Sequence, residues 1–223
     1  MVLKGYGHVP LEYLELPDSN TTATVIFLHG MGSSGHELKE KLIEFLGEDA
    51  YISHIRFIFP TSPTSYIGLF NKVTTIWYSV QPDKSIAYND ARCSVNYIHS
   101  IYRSEVKRGI PPKRIVLAGF SQGGCIALGF GYTRETGIRG VAVMSCAYDQ
   151  KYQQVSGDEL PELYQIHGST DTVISLEAAK ETFDYLTKNG VKGTFSLREG
   201  EGHELDKQKI QEIYEFFKRV LPP

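Results

Sequence analysis

Sulfur, long apolar runs and net charge are all scarce in this sequence. Only three cysteines occur in 223 residues, Cys93, Cys125 and Cys146. They are an odd set without Cys-x-x-Cys spacing, which argues against a disulfide framework and against a structural zinc site. No apolar run approaches the roughly 18 residues of a membrane-spanning helix. The formal net charge of -3 gives no reason to expect nucleic acid as a partner. The densest basic patch, Arg103 to Arg108, is interrupted by Glu105 and reads as a solvated helix face. After Met1 the residues Val-Leu-Lys-Gly-Tyr-Gly lack the apolar core of a signal peptide. The Asn20-Thr21-Thr22 sequon therefore reads as a chance match, and a cytoplasmic location is expected. Internal repeats, low-complexity tracts and linkers are not evident.

What the chain does have is alternation. At 41% hydrophobic and 22% charged residues it has the composition of a soluble globular protein. The expected organisation is one domain over residues 1–223. Thr24 to Leu28, Ile55 to Phe59, Arg114 to Ala118, Gly140 to Ser145, Glu162 to His167 and Thr194 to Arg198 read as strands, with Leu11 to Leu16 as an additional strand near the edge. Between them, His36 to Leu46, residues near 88–108, Gln122 to Thr133, Ser175 to Lys188 and Glu204 to Leu221 carry helical spacing. In the second helix the apolar stripe is Ala91, Val95, Ile98, Tyr102 and Val106. Such alternation implies an α/β fold with a mainly parallel central sheet and helices on both faces. Residues Pro63 to Asp83 have no clean period, although they include Tyr66, Leu69, Phe70, Trp77 and Tyr78. A stretch of that length is more often functional than accidental.

Gly119-Phe120-Ser121-Gln122-Gly123 fits Gly-x-Ser-x-Gly, with a strand entering and a helix leaving. That is the layout of a nucleophile elbow, which lifts a serine above the sheet at a helix N-terminus. Serine needs a base, and in this layout the acid and then the histidine follow it along the chain. Of seven histidines, only His167 and His203 come after Ser121. His167 closes an apolar strand, whereas His203 lies in a Gly-Glu-Gly-His loop before the last helix, so His203 is the expected base. Asp171, in the turn after the Glu162–His167 strand, is the expected orienter. Asp149 and Asp158 compete with it from a polar stretch, and Asp171 has the alternative role of capping the helix that starts near Ser175. Two backbone amides are expected to form the oxyanion hole: Gln122, next to the nucleophile, and Met31, in the His29-Gly30-Met31-Gly32 loop after the Thr24–Leu28 strand. His29 reads as a structural brace of that loop.

The same loop spells Gly-x-Gly-x-x-Gly from Gly30 to Gly35, as in a dinucleotide site. The strand that should end in an acid to hold a ribose ends instead at Phe59-Pro60-Thr61, and the hydrolase reading is preferred. Cys125, one turn beyond Ser121, reads as a small packing residue.

Over nearly its whole length the chain resembles the acyl-protein thioesterase and lysophospholipase-like carboxylesterase family, a branch of the α/β-hydrolases. The resemblance is carried by Leu28-His-Gly-Met-Gly32, Phe59-Pro-Thr61, Trp77 with Tyr78, Gly119-Phe-Ser-Gln-Gly-Gly124, His167-Gly-Ser-Thr-Asp171 with Val173, and Gly200-Glu-Gly-His203. It implies catalysis by Ser121, Asp171 and His203, an oxyanion hole from Met31 and Gln122, and no metal or organic cofactor. The substrates it implies are S-acylated proteins, lysophospholipids or small acyl esters. Two positions depart from the family pattern, with Ser33 and Ser79 where an aspartate is usual; both flank the expected substrate entrance. The Tyr66–Tyr78 segment, with Leu69, Phe70 and Trp77 as candidate substrate-binding residues, either forms an acyl groove or lid or simply caps the core. A short-chain carboxylesterase without a protein substrate, a peptidase or lactonase, and a non-catalytic ligand-binding pseudoenzyme are the alternatives. Oligomeric state and transient contact with a membrane surface stay open.

Overall fold

Pleating decides which layer each side chain joins. The computed structural model describes residues 11–15, 21–67, 71–80, 86–134, 136–148 and 154–223. Its main sheet has seven strands in the order β1 (Glu12–Leu14), β3 (Ile55–Phe59), β2 (Ala23–Leu28), β6 (Ile115–Phe120), β7 (Gly140–Met144), β8 (Glu162–Gly168) and β9 (Gly193–Arg198). β1 runs antiparallel to β3, and every other pairing in this sheet is parallel. Along β2, Val25 and Phe27 enter one core cluster while Ile26 and Leu28 enter the other, the period-two alternation of a strand buried on both faces.

Helices α1 (Gly35–Leu46) and α5 (Lys207–Val220) cover the Val25–Phe27 face. There Tyr214 stacks on Phe57 at 5.3 Å between ring centroids. Helices α2 (Tyr88–Lys107), α3 (Gln122–Tyr132) and α4 (Leu176–Lys188) cover the other face. Side-chain caps fix three helix starts. Ser34 accepts from Glu37 N–H, Ser175 from Ala178 N–H and Asp206 from Lys209 N–H, contacts worth about 1 kcal/mol each.

Three features differ from the sequence reading. The last helix begins at Lys207 rather than Glu204, because Asp206 caps it there, and Gly200 to Leu205 stay free as a loop. The aperiodic segment contains a hairpin, β4 (Thr64–Ile67) paired with β5 (Lys72–Thr75); Leu69 and Phe70 lie outside the described residues. In α2 the buried stripe ends differently: Val106 is exposed and Glu105 is buried. Glu105 Oε2 accepts from Thr24 Oγ1 at 2.8 Å, and Arg108 Nη1 sits 3.2 Å from Glu105 Oε1. The Arg103–Arg108 stretch is therefore not a wholly solvated face.

Parallel strands put their carboxyl ends on one side of the sheet. The segments following β2, β6, β8 and β9 converge there, which is where open α/β sheets hold their ligands.

Candidate active site

Ser121 lies between β6 and α3 with φ 53° and ψ -123°, a left-handed conformation that costs a non-glycine residue about 1–3 kcal/mol. The surroundings impose it. Ser121 N–H donates to Met144 O at 3.0 Å, and Cys125 N–H donates to Ser121 O at 3.1 Å. The elbow is too tight for side chains on either flank. A Cβ on Gly123 would lie 2.5 Å from Leu28 O and His29 O, and one on Gly119 would lie 2.4 Å from Gly123 C.

The structure brings the three sequence-selected residues together. His203 Nε2 is 2.9 Å from Ser121 Oγ, and His203 Nδ1 is 2.7 Å from Asp171 Oδ2. The Asp171 side chain is fully buried and that of His203 is 17% exposed, so the relay touches solvent only at the imidazole and beyond. Phe120 packs against the imidazole at 5.2 Å between centroids. Burial pushes the Asp171 carboxyl up, but the Ile174 amide, His203 and the Val173 amide outweigh it and leave its pKa below the usual value. Asp171 Oδ1 takes those two amides at 2.8 Å (Val173) and 2.9 Å (Ile174). Its second oxygen is thereby free to fix the tautomer of His203: Nδ1–H donates to the carboxylate and Nε2 accepts from the serine. The cap of α4 is Ser175, not Asp171. Of the competing carboxylates, Asp158 is exposed and Asp149 lies outside the described residues.

His167, the other histidine after Ser121, is fully buried behind this array. Its Nε2–H donates to Ile174 O at 3.0 Å, and burial lowers its pKa. It therefore stays neutral and supports the turn that carries Asp171.

On the other side of Ser121, the loop after β2 is braced from within. His29 is 1% exposed, and burial lowers its pKa to about 4. The neutral ring donates from Nδ1–H to Gly30 O at 2.6 Å and accepts at Nε2 from Ser62 N–H at 3.0 Å. Gly32 N–H donates to Thr75 O at 2.8 Å, tying the loop to the β4–β5 hairpin. Trp77, expected to bind substrate, is instead fully buried. Its Nε1–H donates to His29 O at 2.8 Å, so it acts on this site by holding the loop. Gln122 clamps the same segment with its side chain, which accepts from Trp77 N–H and donates to Tyr78 O, both at 3.0 Å. Sequence reading used Gln122 only for its amide.

Of the two departures from the family pattern, Ser33 is bonded through its hydroxyl and Ser79 through its backbone amide. Ser33 Oγ donates to Glu37 Oε2 at 2.9 Å, and Ser79 N–H donates to Asp90 Oδ2 at 3.2 Å. Cys125 and Cys146 are buried neighbours of the elbow; the thiol of Cys146 holds the pKa of Cys125 down. Among the described residues no group of three or more His, Cys, Asp or Glu side chains could hold a metal ion. No helix among them is long and apolar enough to cross a membrane.

A serine bonded to a neutral imidazole, itself oriented by a buried carboxylate, can pass a proton from the serine at attack and on to a leaving group. Known proteins share this fold and much of this sequence. Residues 11–221 match the model of the phospholipase/carboxylesterase family. The chain is 33% identical over 217 residues to lysophospholipase-like protein 1 of Mus musculus, covering 92% of this chain and 90% of that protein. It is 31% identical over 219 residues to acyl-protein thioesterase 1 homolog 1 of Dictyostelium discoideum, covering 94% and 96%. The crystal structure of Zea mays acyl-protein thioesterase 2 has the same fold, with a TM-score of 0.78 at 21% identity over 97% of this chain and 100% of that one. From the edge strand through α5, then, the chain belongs to the phospholipase/carboxylesterase family and is a hydrolase of the α/β-hydrolase superfamily.

Proposed function

We propose that this chain, acting as one α/β-hydrolase domain, cleaves acyl thioesters or carboxylic esters through an acyl-serine intermediate. The observation that carries the reading is the unbroken hydrogen-bond chain from Ser121 through His203 to Asp171, at 2.9 and 2.7 Å. Ser121 Oγ attacks the carbonyl carbon as His203 Nε2 takes its proton, and Asp171 stabilises the imidazolium. The oxyanion is held by the amides of Gln122 and Met31. Collapse expels the leaving group, protonated by His203 where it is an alkoxide. A thiol leaves more readily as thiolate, its pKa being about 8.5. Water then attacks the acyl-serine with His203 as base, and the acid is released.

The substrate we favour is an S-acylated protein or a lysophospholipid. Support comes from apolar side chains left exposed on segments that border the site. Met31 is 42% exposed, Tyr66 50%, Val73 62% and Val173 64%. An acyl chain lying across them would bury surface at roughly 0.8 kcal/mol per methylene. The names of the Mus musculus and Dictyostelium relatives point the same way.

The test is hydrolysis of p-nitrophenyl esters from acetate to palmitate, with a palmitoylated peptide in parallel, for wild type and Ser121→Ala. Turnover abolished in the variant and an optimum at long chains is the expected result. An optimum at acetate or butyrate with an inert peptide would select the small-ester reading. Turnover that survives the substitution would refute the mechanism.

A further inference from the structure

Lys209 occupies a position that neither helix physics nor solvation favours. It is the third residue of α5, whose positive dipole end disfavours a cation, and its side chain is wholly buried, where an unpaired charge is strongly disfavoured. No other lysine among the described residues is buried. What holds it is a cage of oxygens. Nζ lies 2.9 Å from Glu204 O, 3.3 Å from Gly202 O, 3.1 Å from Asp206 Oδ2 and 3.3 Å from Glu201 Oε2. The two carbonyls belong to the residues on either side of His203.

We infer that Lys209 is the positioning residue of the His203 loop, its ammonium fixing the peptide that enters His203 and the one that leaves Glu204 so that Nε2 and Nδ1 stay in line between Ser121 and Asp171. This rests on the role proposed above for His203. Each carbonyl that is held fixes the plane of its peptide unit, and Gly202 O belongs to the unit that contains the His203 amide. The opposite side of the loop is anchored independently. Thr170 donates to Glu201 O from its amide at 3.0 Å and from Oγ1 at 2.8 Å. Gly168 leaves room for the loop to lie flat, since a Cβ there would sit 2.3 Å from Glu201 O. The anchor at Thr170 ties the loop to the Asp171 turn, and Lys209 ties it to α5. Arg198, 2.9 Å from Glu201 Oε1 and 3.6 Å from Glu212 Oε2, extends the same network to the last strand.

The test is Lys209→Met, which keeps the length and apolar stem of the side chain and removes its donors. Active sites are counted with a fluorophosphonate, and kcat and KM are measured on p-nitrophenyl butyrate per titrated site. A misplacement of about 1 Å costs on the order of 100-fold, so kcat per site should fall about 10- to 100-fold with KM within about twofold. An unchanged kcat per site, with fewer titratable sites, would assign Lys209 to folding alone and overturn the inference. Should the single variant not fold because the Glu201 and Asp206 carboxylates lose the cation they share, Glu201→Gln with Lys209→Met removes one of those charges and carries the same readout. Failure of both variants to fold also overturns it. Wild-type enzyme that neither turns over nor reacts with the titrant would instead refute the serine-hydrolase reading itself.

Discussion

Replacing His29 by alanine separates the loop proposed to hold the oxyanion from the rest of the machinery, because the His29 ring bonds to Gly30 O and Ser62 N–H and so sets the conformation of the loop between β2 and α1. In a trans peptide the carbonyl and the following amide point in opposite directions. The Nδ1–H···O bond to Gly30, at 2.6 Å, therefore also aims the Met31 amide. Removing the ring leaves Ser62 N–H without its acceptor, a loss of about 1–3 kcal/mol. Gly30 O keeps only the 3.3 Å contact from Ser33 N–H. With the cavity added, destabilisation of about 2–4 kcal/mol is expected, or roughly 5–15 °C in Tm for a chain of this size. Complete loss of one oxyanion donor costs about 100- to 1,000-fold in kcat. The loop stays pinned through Gly32 and Thr75, so about 10- to 100-fold is expected. The assay is p-nitrophenyl butyrate turnover per titrated active site, well below the measured Tm. Trp77→Phe makes a graded companion. It removes the Nε1–H bond to His29 O while keeping a ring, and should cost about 1–3 kcal/mol in stability and less in rate than His29→Ala. A folded His29→Ala enzyme with kcat within about twofold of wild type would refute the reasoning. The Met31 amide would then either be aimed by something else or not serve the oxyanion.

The remaining predictions concern the carboxylate, pH and the acyl chain. Asp171→Asn keeps the amide-accepting oxygen but puts a donor or a weaker acceptor opposite His203 Nδ1, favouring the wrong tautomer. kcat should fall on the order of 10⁴-fold with KM little changed, and a fall of less than tenfold would contradict the role given to Asp171. His29 is held neutral in the folded protein, its pKa lowered from 6.5 to about 4, so between those values the unfolded chain binds more protons. Its contribution is then fully present above pH 6.5 and is lost as pH falls toward 4, amounting to about 3 kcal/mol. His167, shifted in the same direction by burial, adds to the effect. Urea unfolding at pH 7.5 and 4.5 should show wild type losing more stability than His29→Ala, and equal losses would contradict the assignment. Tyr66 and Val73 are paired across the β4–β5 hairpin and exposed. Replacing both with serine should lower the palmitate-to-butyrate ratio of kcat/KM by about tenfold, and an unchanged ratio would place the acyl chain elsewhere.

The inner parallel strands were legible because they are buried on both faces and so read as short apolar runs. β2 and β3 needed nothing more than Ala-Thr-Val-Ile-Phe-Leu and Ile-Arg-Phe-Ile-Phe. The β4–β5 hairpin was not legible for the opposite reason. Thr64 to Ile67 and Lys72 to Thr75 are largely exposed or half-buried, so no apolar period marks them. The hairpin is placed by backbone bonds to its surroundings, Gly32 N–H to Thr75 O and Ile76 N–H to Pro63 O, which leave no trace in composition. Trp77 misled for a related reason. An indole in an aperiodic stretch near the site reads as a surface for ligand, whereas its N–H is spent on the His29 carbonyl inside the core.

Ser121, His203 and Asp171 were legible because chain order restricts the candidates before any geometry is known. Two histidines follow the elbow, and only one lies in a loop. Charged residues that point inward defeated the reading, since a charge is ordinarily taken as a mark of solvent. Helical spacing contained the correction in both cases. On α2 the steps from Ile98 through Ile101 lead to Glu105 as directly as those through Tyr102 lead to Val106, and the hydroxyl of Thr24 with the guanidinium of Arg108 decides in favour of the glutamate. On α5 the buried positions Ile213, Phe216 and Val220 extrapolate back to Lys209. A charge at the apolar phase of a helix is better read as evidence that the fold supplies it with partners. At Lys209 those partners are the backbone on both sides of His203, so the misfit in the pattern marks the place where the helix takes hold of the site.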